Sequence, residues 1–302
     1  MSNLGARVYG LAAIMMGVAG LLWREFAVDW MPVPGTLPGR VALAYVVGAL
    51  LIAGGILINL RRTQAWGAGV LTAVFAAGLV LLDLTRLASH PMTFDYWDGV
   101  SEQLAVTMGG LIALAMARPR ATAGTEPIAR EVFGLCLLVF GAAHFVYLDF
   151  TASLVPKWLP PGPMFWAVAT GIAQIAAGLA ILSGVMSLLA ARLLMAMYAI
   201  FGLLVHAPAV WSAPSKHFAW TEFMVNLALA ATAWIVAESL AAGRAQTPPL
   251  DKVATGSYLR SHDDRQYQGR EEPSQRAGAQ GRSGRDHHRD AQRQAGLRSG
   301  PA

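Results

Sequence analysis

Eight apolar runs, each close to the roughly 20 residues that cross a bilayer's hydrocarbon as helix, alternate with short polar or Pro- and Gly-rich breaks. They predict spanning helices over residues 8–23, 41–60, 66–87, 100–117, 132–148, 165–183, 188–206 and 223–240. Backbone polar groups in lipid must be satisfied within the segment, so runs of this length read as helix and not as strand. Several runs carry small residues, such as Gly48, Gly54 and Gly55, or Gly171, Ala176, Ala177 and Gly178. Such positions let helix backbones approach closely, so tight helix packing is their expected role.

The pattern also repeats. Sliding the first half onto the second puts Gly17 on Gly141, Ala19 on Ala143, Phe26 on Phe150, Pro32 on Pro156, Ala53 on Ala177 and Gly54 on Gly178, with Glu25 on Asp149. Small length changes then bring His90 onto His206 and Glu102 onto Glu222. The expected architecture is an all-α membrane protein of eight transmembrane helices in two parallel four-helix repeats, residues 6–120 and 128–242. Four crossings return the chain to its starting side, so both copies enter from the same side. The run over 8–22 resembles the apolar part of a signal peptide, but it takes part in the repeat and is expected to stay in the mature chain.

Composition agrees with a bilayer as solvent: 55% of residues are hydrophobic and 14% charged, with a mean hydropathy of +0.45. The single Cys136 cannot form an intrachain disulfide and is expected to pack as a small apolar residue. Charge is uneven, because residues 243–302 hold eleven of the 23 Lys and Arg and seven of the 18 Asp and Glu. That segment has few apolar residues and is expected to be a disordered polar, basic tail. Its Arg residues suit anionic headgroups, and a merely solvated extension is the plainer reading. Its adjacent His287 and His288 lack further ligands for a metal, and none is expected.

Loop charges orient the chain. Arg7, Arg61, Arg62, Arg118, Arg120, Arg130 and Arg192 fall on the N-terminal side, against Arg24, Arg40, Arg86, Lys157 and Lys216 opposite. Both termini are therefore expected to be cytoplasmic, in a multi-pass inner-membrane protein whose Pro and Trp loops face the periplasm in a bacterium.

Ionisable residues within or beside such helices need a partner or a purpose, since each costs about 2.5–3.5 kcal/mol at the helix centre. Asp83 and Arg86 are three residues apart and predict a structural ion pair. His144 and Asp149 are five apart; if the helix unwinds at Asp149 the carboxylate can orient the imidazole, and otherwise both bond to loop backbone at the interface. With Gln174, His206 and Glu222, and with Trp158 and Trp166 as a roof, they outline a polar pocket at the outer end of the second half. Glu25, His90 and Glu102 outline its counterpart in the first, near Asp29. Imidazole and carboxyl groups beside an apolar bundle suit proton handling on a quinone. Interfacial aromatic belts account for the tryptophans without a ligand. His90 and His206 also raise a bis-histidine haem, but both precede prolines at helix exits and no haem is expected. The chain has no phosphate-binding glycine loop and no Cys-x-x-Cys, so nucleotide and flavin chemistry are excluded and no nucleic-acid partner is expected.

The motifs GAAHF at 141–145, VPKWLP at 155–160 and TGIAQIAAGLAIL at 170–182, with LPGRVALAYVVGALLIAGGILI at 37–58, resemble the DoxX-like family of four-helix membrane proteins. The resemblance covers about residues 6–241 as two copies. It implies an acidic residue in each second helix, where this chain has Gln174 and, in the first copy, Leu50. It also implies an association with thiosulfate-to-quinone electron transfer. The expected function is thus a quinone-contacting membrane subunit with a soluble redox partner and no cofactor held by the chain itself. A small-molecule permease or exporter and a structural scaffold are the alternatives, with the lipid bilayer as partner in every case and the oligomeric state open.

Overall fold

The computed structural model describes residues 3–122 and 124–246, all within one compact unit. Eight helices among them are long and apolar enough to cross a membrane. They are α1 (Leu4–Trp23), α2 (Arg40–Asn59), α3 (Gln64–Ser89), α4 (Phe94–Ala117), α5 (Thr125–Val146), α7 (Pro163–Ser183), α8 (Ser187–Ser212) and α9 (His217–Gln246), with a short α6 (Leu148–Leu154) before α7. The described residues are all-helical, and their eight long apolar helices have the make-up of a membrane protein. The tail expected from residue 243 lies outside the described residues from 247 onward, and residues 243–246 instead continue α9.

Most helices outrun their apolar cores. α4 starts at Phe94 and takes in Asp95, Asp98 and Glu102, and α5 starts at Thr125 and takes in Glu126 and Arg130. α8 continues past His206 through Pro208 to Ser212. Its last part follows a π turn at Gly202–His206, and α3 has one at Leu79–Asp83. The wider turn in α8 lies just before Pro208, whose ring cannot follow a regular α turn. α3 makes the same turn without a proline, so proline is not the common cause.

α4 and α9 are the most buried helices, while α2, α3, α7 and α8 turn large apolar side chains outward, including Val46, Leu81, Ile172, Leu179 and Leu203. Hydrocarbon is the solvent that suits such a surface. Glycines bring the outer helices in: a Cβ on Gly17 of α1 would stand 2.5 Å from the Gly48 carbonyl oxygen of α2, and one on Gly141 of α5 would stand 2.7 Å from that of Gly171 in α7. Gly10 meets Gly55, and Gly134 meets Gly178, one step further along the same seams. Other contacts come in matching pairs. The buried Gln103 amide donates to Phe75 O at 3.0 Å, and the Asn226 amide donates to Tyr198 O at 3.0 Å, each across 28 residues and each just before a π turn. A side-chain donor there supports a helix whose own ladder is locally widened.

Leu51 lies four residues before Gly55 and is buried, as Gln174 lies four before Gly178 and is buried, while Leu50 is exposed. Asp83 ends the π turn of α3 and His206 ends that of α8. His90 is the exposed residue that ends α3.

The bundle end opposite the N-terminus is tied by three equivalent bonds. Trp97, Trp166 and Trp220, each the fourth residue of its helix, donate their indole N–H to Pro91, Pro160 and Pro214 carbonyls at 2.9 Å. At the other end Arg130 donates to Glu126 at 2.7 Å and to Ser239 at 2.8 Å, joining α5 to α9.

Candidate functional site

The two α1–α2 and α5–α7 seams lead to different ends. After α1 the chain folds back into the bundle, burying Phe26, Trp30, Met31 and Val33. Trp30 packs edge-on against Phe75 with ring centroids 5.7 Å apart. Arg40 anchors this loop by pairing with Glu25, bonding Val33 O at 3.3 Å and lying 5.6 Å over the Phe26 ring. The space left beside Phe26, Met31 and Leu51 is about 10 Å³. Glu25 lines this small space and anchors the loop through Arg40.

After α5 the equivalent segment stays out of the bundle. Tyr147 breaks the helix, α6 follows, and Phe150 and Leu154 remain exposed. A cavity of about 660 Å³ opens between α4, α5, α7, α8 and α9, within the size range of small-molecule sites. Its walls are mainly apolar, and its rim includes Phe150, Leu193 and Ile200 on the outer surface. Ala173 of α7 and Ala196 of α8 face it across the gap between these helices.

His144, Gln174, His206 and Glu222 all line this cavity, and so does Glu102 from α4. The sequence placed Glu102 in a separate first-half pocket; the structure places it with Glu222, and the two carboxyl groups interact electrostatically. Asp98, one turn before Glu102, joins them. His144 is held from α7: its Nδ1 lies 3.0 Å from Ala167 O and 3.1 Å from Thr170 Oγ1. A carbonyl only accepts, so Nδ1 carries the proton, and the Gln174 amide N–H donates to the bare Nε2 at 3.1 Å. Gly171 makes room for this approach, since a Cβ there would meet His144 Cβ at 2.7 Å. Gln174 Oε1 and the Tyr198 hydroxyl are buried without a partner, and both residues line the cavity.

Other sequence-predicted members lie elsewhere. Asp149 is exposed on α6 and does not orient His144, because the helix has already broken at Tyr147. Trp158 is 71% exposed and roofs nothing, whereas Trp166 lines the cavity. His90 lies against the Tyr96 ring, tilted, with centroids 5.2 Å apart, and does not line the cavity. The expected Asp83–Arg86 ion pair is absent from the salt bridges among the described residues. Arg86 lies 5.2 Å over the Tyr96 ring instead, and Asp83 Oδ2 is buried without a hydrogen bond. Sequence reasoning missed Asp98, Tyr198 and Asn226. The four-residue step from Asp98 to Glu102, which aligns both on one helix face, was the available signal.

Residues 133–237 match the model of a domain of unknown function, DUF8561. The matched segment holds every residue named here as lining the cavity except Asp98 and Glu102. No curated protein and no solved structure matches the chain. Among the described residues no group of three or more His, Cys, Asp or Glu side chains is placed to hold a metal ion.

Proposed function

We propose that the protein takes a small amphipathic molecule from the bilayer into the cavity between α7 and α8 and holds its polar end against Gln174, Glu102 and Glu222. The observation that carries this is a 660 Å³ apolar cavity with polar groups converging on it and exposed Leu193 and Ile200 at its rim. Shape places apolar bulk at the lipid side and hydrogen-bonding groups inside, the arrangement of a ligand site. The quinone implied by the DoxX-like resemblance is one such molecule, and a soluble redox partner would then meet the end of the bundle where the cavity lies.

The paired glycine seams, π turns and amide bonds support a duplicated chain in which the two halves run parallel. On that reading the first half has filled its site with Trp30 and the second has kept it open. The loop charges support an inner-membrane location with both termini cytoplasmic and the cavity toward the outer side. A permease is the second reading, favoured by a cavity that runs along α8 from His206 to Leu193 and along α9 from Glu222 to Leu229.

The test compares wild type with Ala173→Trp, which places an indole in the cavity from an exposed position outside the core. Protein purified in mild detergent is stripped with organic solvent and the extract analysed by mass spectrometry. A small amphiphile retained by wild type and lost from the variant supports the reading. Equal retention by both, or none by wild type, refutes it. Substrate-dependent uptake into proteoliposomes separates the permease from a static binding protein.

A further inference from the structure

We infer that the ligand's polar end is a protonated amine, an inference that rests on the proposed amphiphile site and names the chemistry it selects. Asp98, Glu102 and Glu222 line one cavity, and no Lys or Arg lines it with them. None of the three forms an ion pair among the described residues. Carboxyl groups in a bilayer are kept at a cost that a partner must offset, and here neither Lys nor Arg supplies one; the cavity's His144 is neutral, with Gln174 donating to its bare Nε2, and His206 forms no ion pair among the described residues.

The hydrogen-bonding balance points the same way. His144 uses Nδ1 on Ala167 and Nε2 on Gln174, so it has no free donor for a ligand. One N–H of the Asn226 amide is taken by Tyr198 O. Gln174, at 3% exposure, keeps its Oε1 as a buried acceptor with nothing to accept. An oxidised quinone brings only acceptors and leaves that oxygen unanswered. An ammonium brings N–H donors to Gln174 Oε1 and a charge to Glu102 and Glu222, leaving its apolar body between Ala173, Ala196 and Met197. Tyr198, whose hydroxyl is likewise buried without a partner, interacts electrostatically with Glu102 and Asp98 at the cavity's inner wall.

The experiment measures binding to the full chain in lipid nanodiscs by titration calorimetry, with empty nanodiscs subtracted. The probes are 1-naphthylmethylamine, its neutral isostere 1-naphthylmethanol, and a short-chain quinone. Wild type is expected to bind the amine at least about tenfold more tightly than the alcohol, the value of one charge-assisted contact. Glu102→Gln with Glu222→Gln is expected to lose about that tenfold for the amine and to hold the alcohol within about twofold. Asp98→Asn, on a part-exposed side chain in an early turn of α4, is a milder variant with the same expected direction if the double variant fails to insert. Amine and alcohol binding alike, or a quinone that binds more tightly than the amine and is indifferent to the substitutions, overturns the amine assignment while leaving the amphiphile site standing. Binding of none of the three probes overturns the site itself.

Discussion

Gly67 gives the sharpest test of how the bundle is packed. It lies where α3 crosses α2, and a Cβ added there would stand 2.1 Å from Ile58 N, 2.6 Å from Ile58 Cα and 2.7 Å from Gly54 O. All three are backbone atoms, which no rotamer change can move. Ordinary contact begins near 3.4 Å, so Gly67→Ala must part the helices by about 1.3 Å, and overpacking of this kind costs about 1–3 kcal/mol. With rigid neighbours the upper end is expected. Gly69, two residues along the same helix, has nothing within 4 Å of its would-be Cβ. There alanine only removes glycine's helix penalty and is expected to be neutral or to stabilise by up to about 1 kcal/mol. Both variants are measured by SDS titration in mixed micelles, following helix loss by circular dichroism. A loss near 3 kcal/mol for Gly67→Ala beside no loss for Gly69→Ala supports the seam. Equal behaviour of the two refutes it.

Gln103→Leu and Asn226→Leu each remove a buried donor from a helix carbonyl, and each is expected to cost about 1–3 kcal/mol in the same SDS assay; a loss at one site alone would break the equivalence of the two π turns. Arg40→Ala removes the group that holds Glu25, Val33 O and Phe26, so amide exchange over residues 24–39 is expected to quicken while α1 and α2 keep their protection; unchanged exchange in the loop would show that Arg40 does not anchor it. Reporter fusions after Arg62 and Arg120 are expected to read cytoplasmic, and one near Lys157 external; the reverse pattern overturns the orientation.

The eight crossings were legible because apolar length alone decides them in lipid, and every predicted run has its helix. Their ends were less so. Asp95, Asp98, Glu126 and Arg130 continue helices past the apolar runs, since a helix needs lipid-compatible side chains only where lipid touches it. The π turns left no readable mark; they end at Asp83 and at His206, whereas pairing His90 with His206 rested on a length change inside these helices. Of the site, His144, Gln174, His206 and Glu222 were found by asking what an ionisable or amide group does in a bilayer. The reach of Glu102 into that same cavity was hidden, because it depends on α4 packing against α9 and α5, a long-range contact. So was the difference between the halves: Trp30 and Arg40 close one, whereas in the other Leu154 ends α6 exposed and Pro163 opens α7.

The central claim is that a bilayer-borne molecule enters between α7 and α8. It is tested most directly by photolabelling the protein in nanodiscs with a benzophenone-bearing amphiphile and mapping the adducts by mass spectrometry. The account predicts adducts concentrated at Ala173, Leu193, Ala196 and Ile200 and lost in Ala173→Trp. Adducts spread evenly over lipid-facing positions such as Leu81, Leu179 and Leu203, and unchanged in the variant, would contradict it.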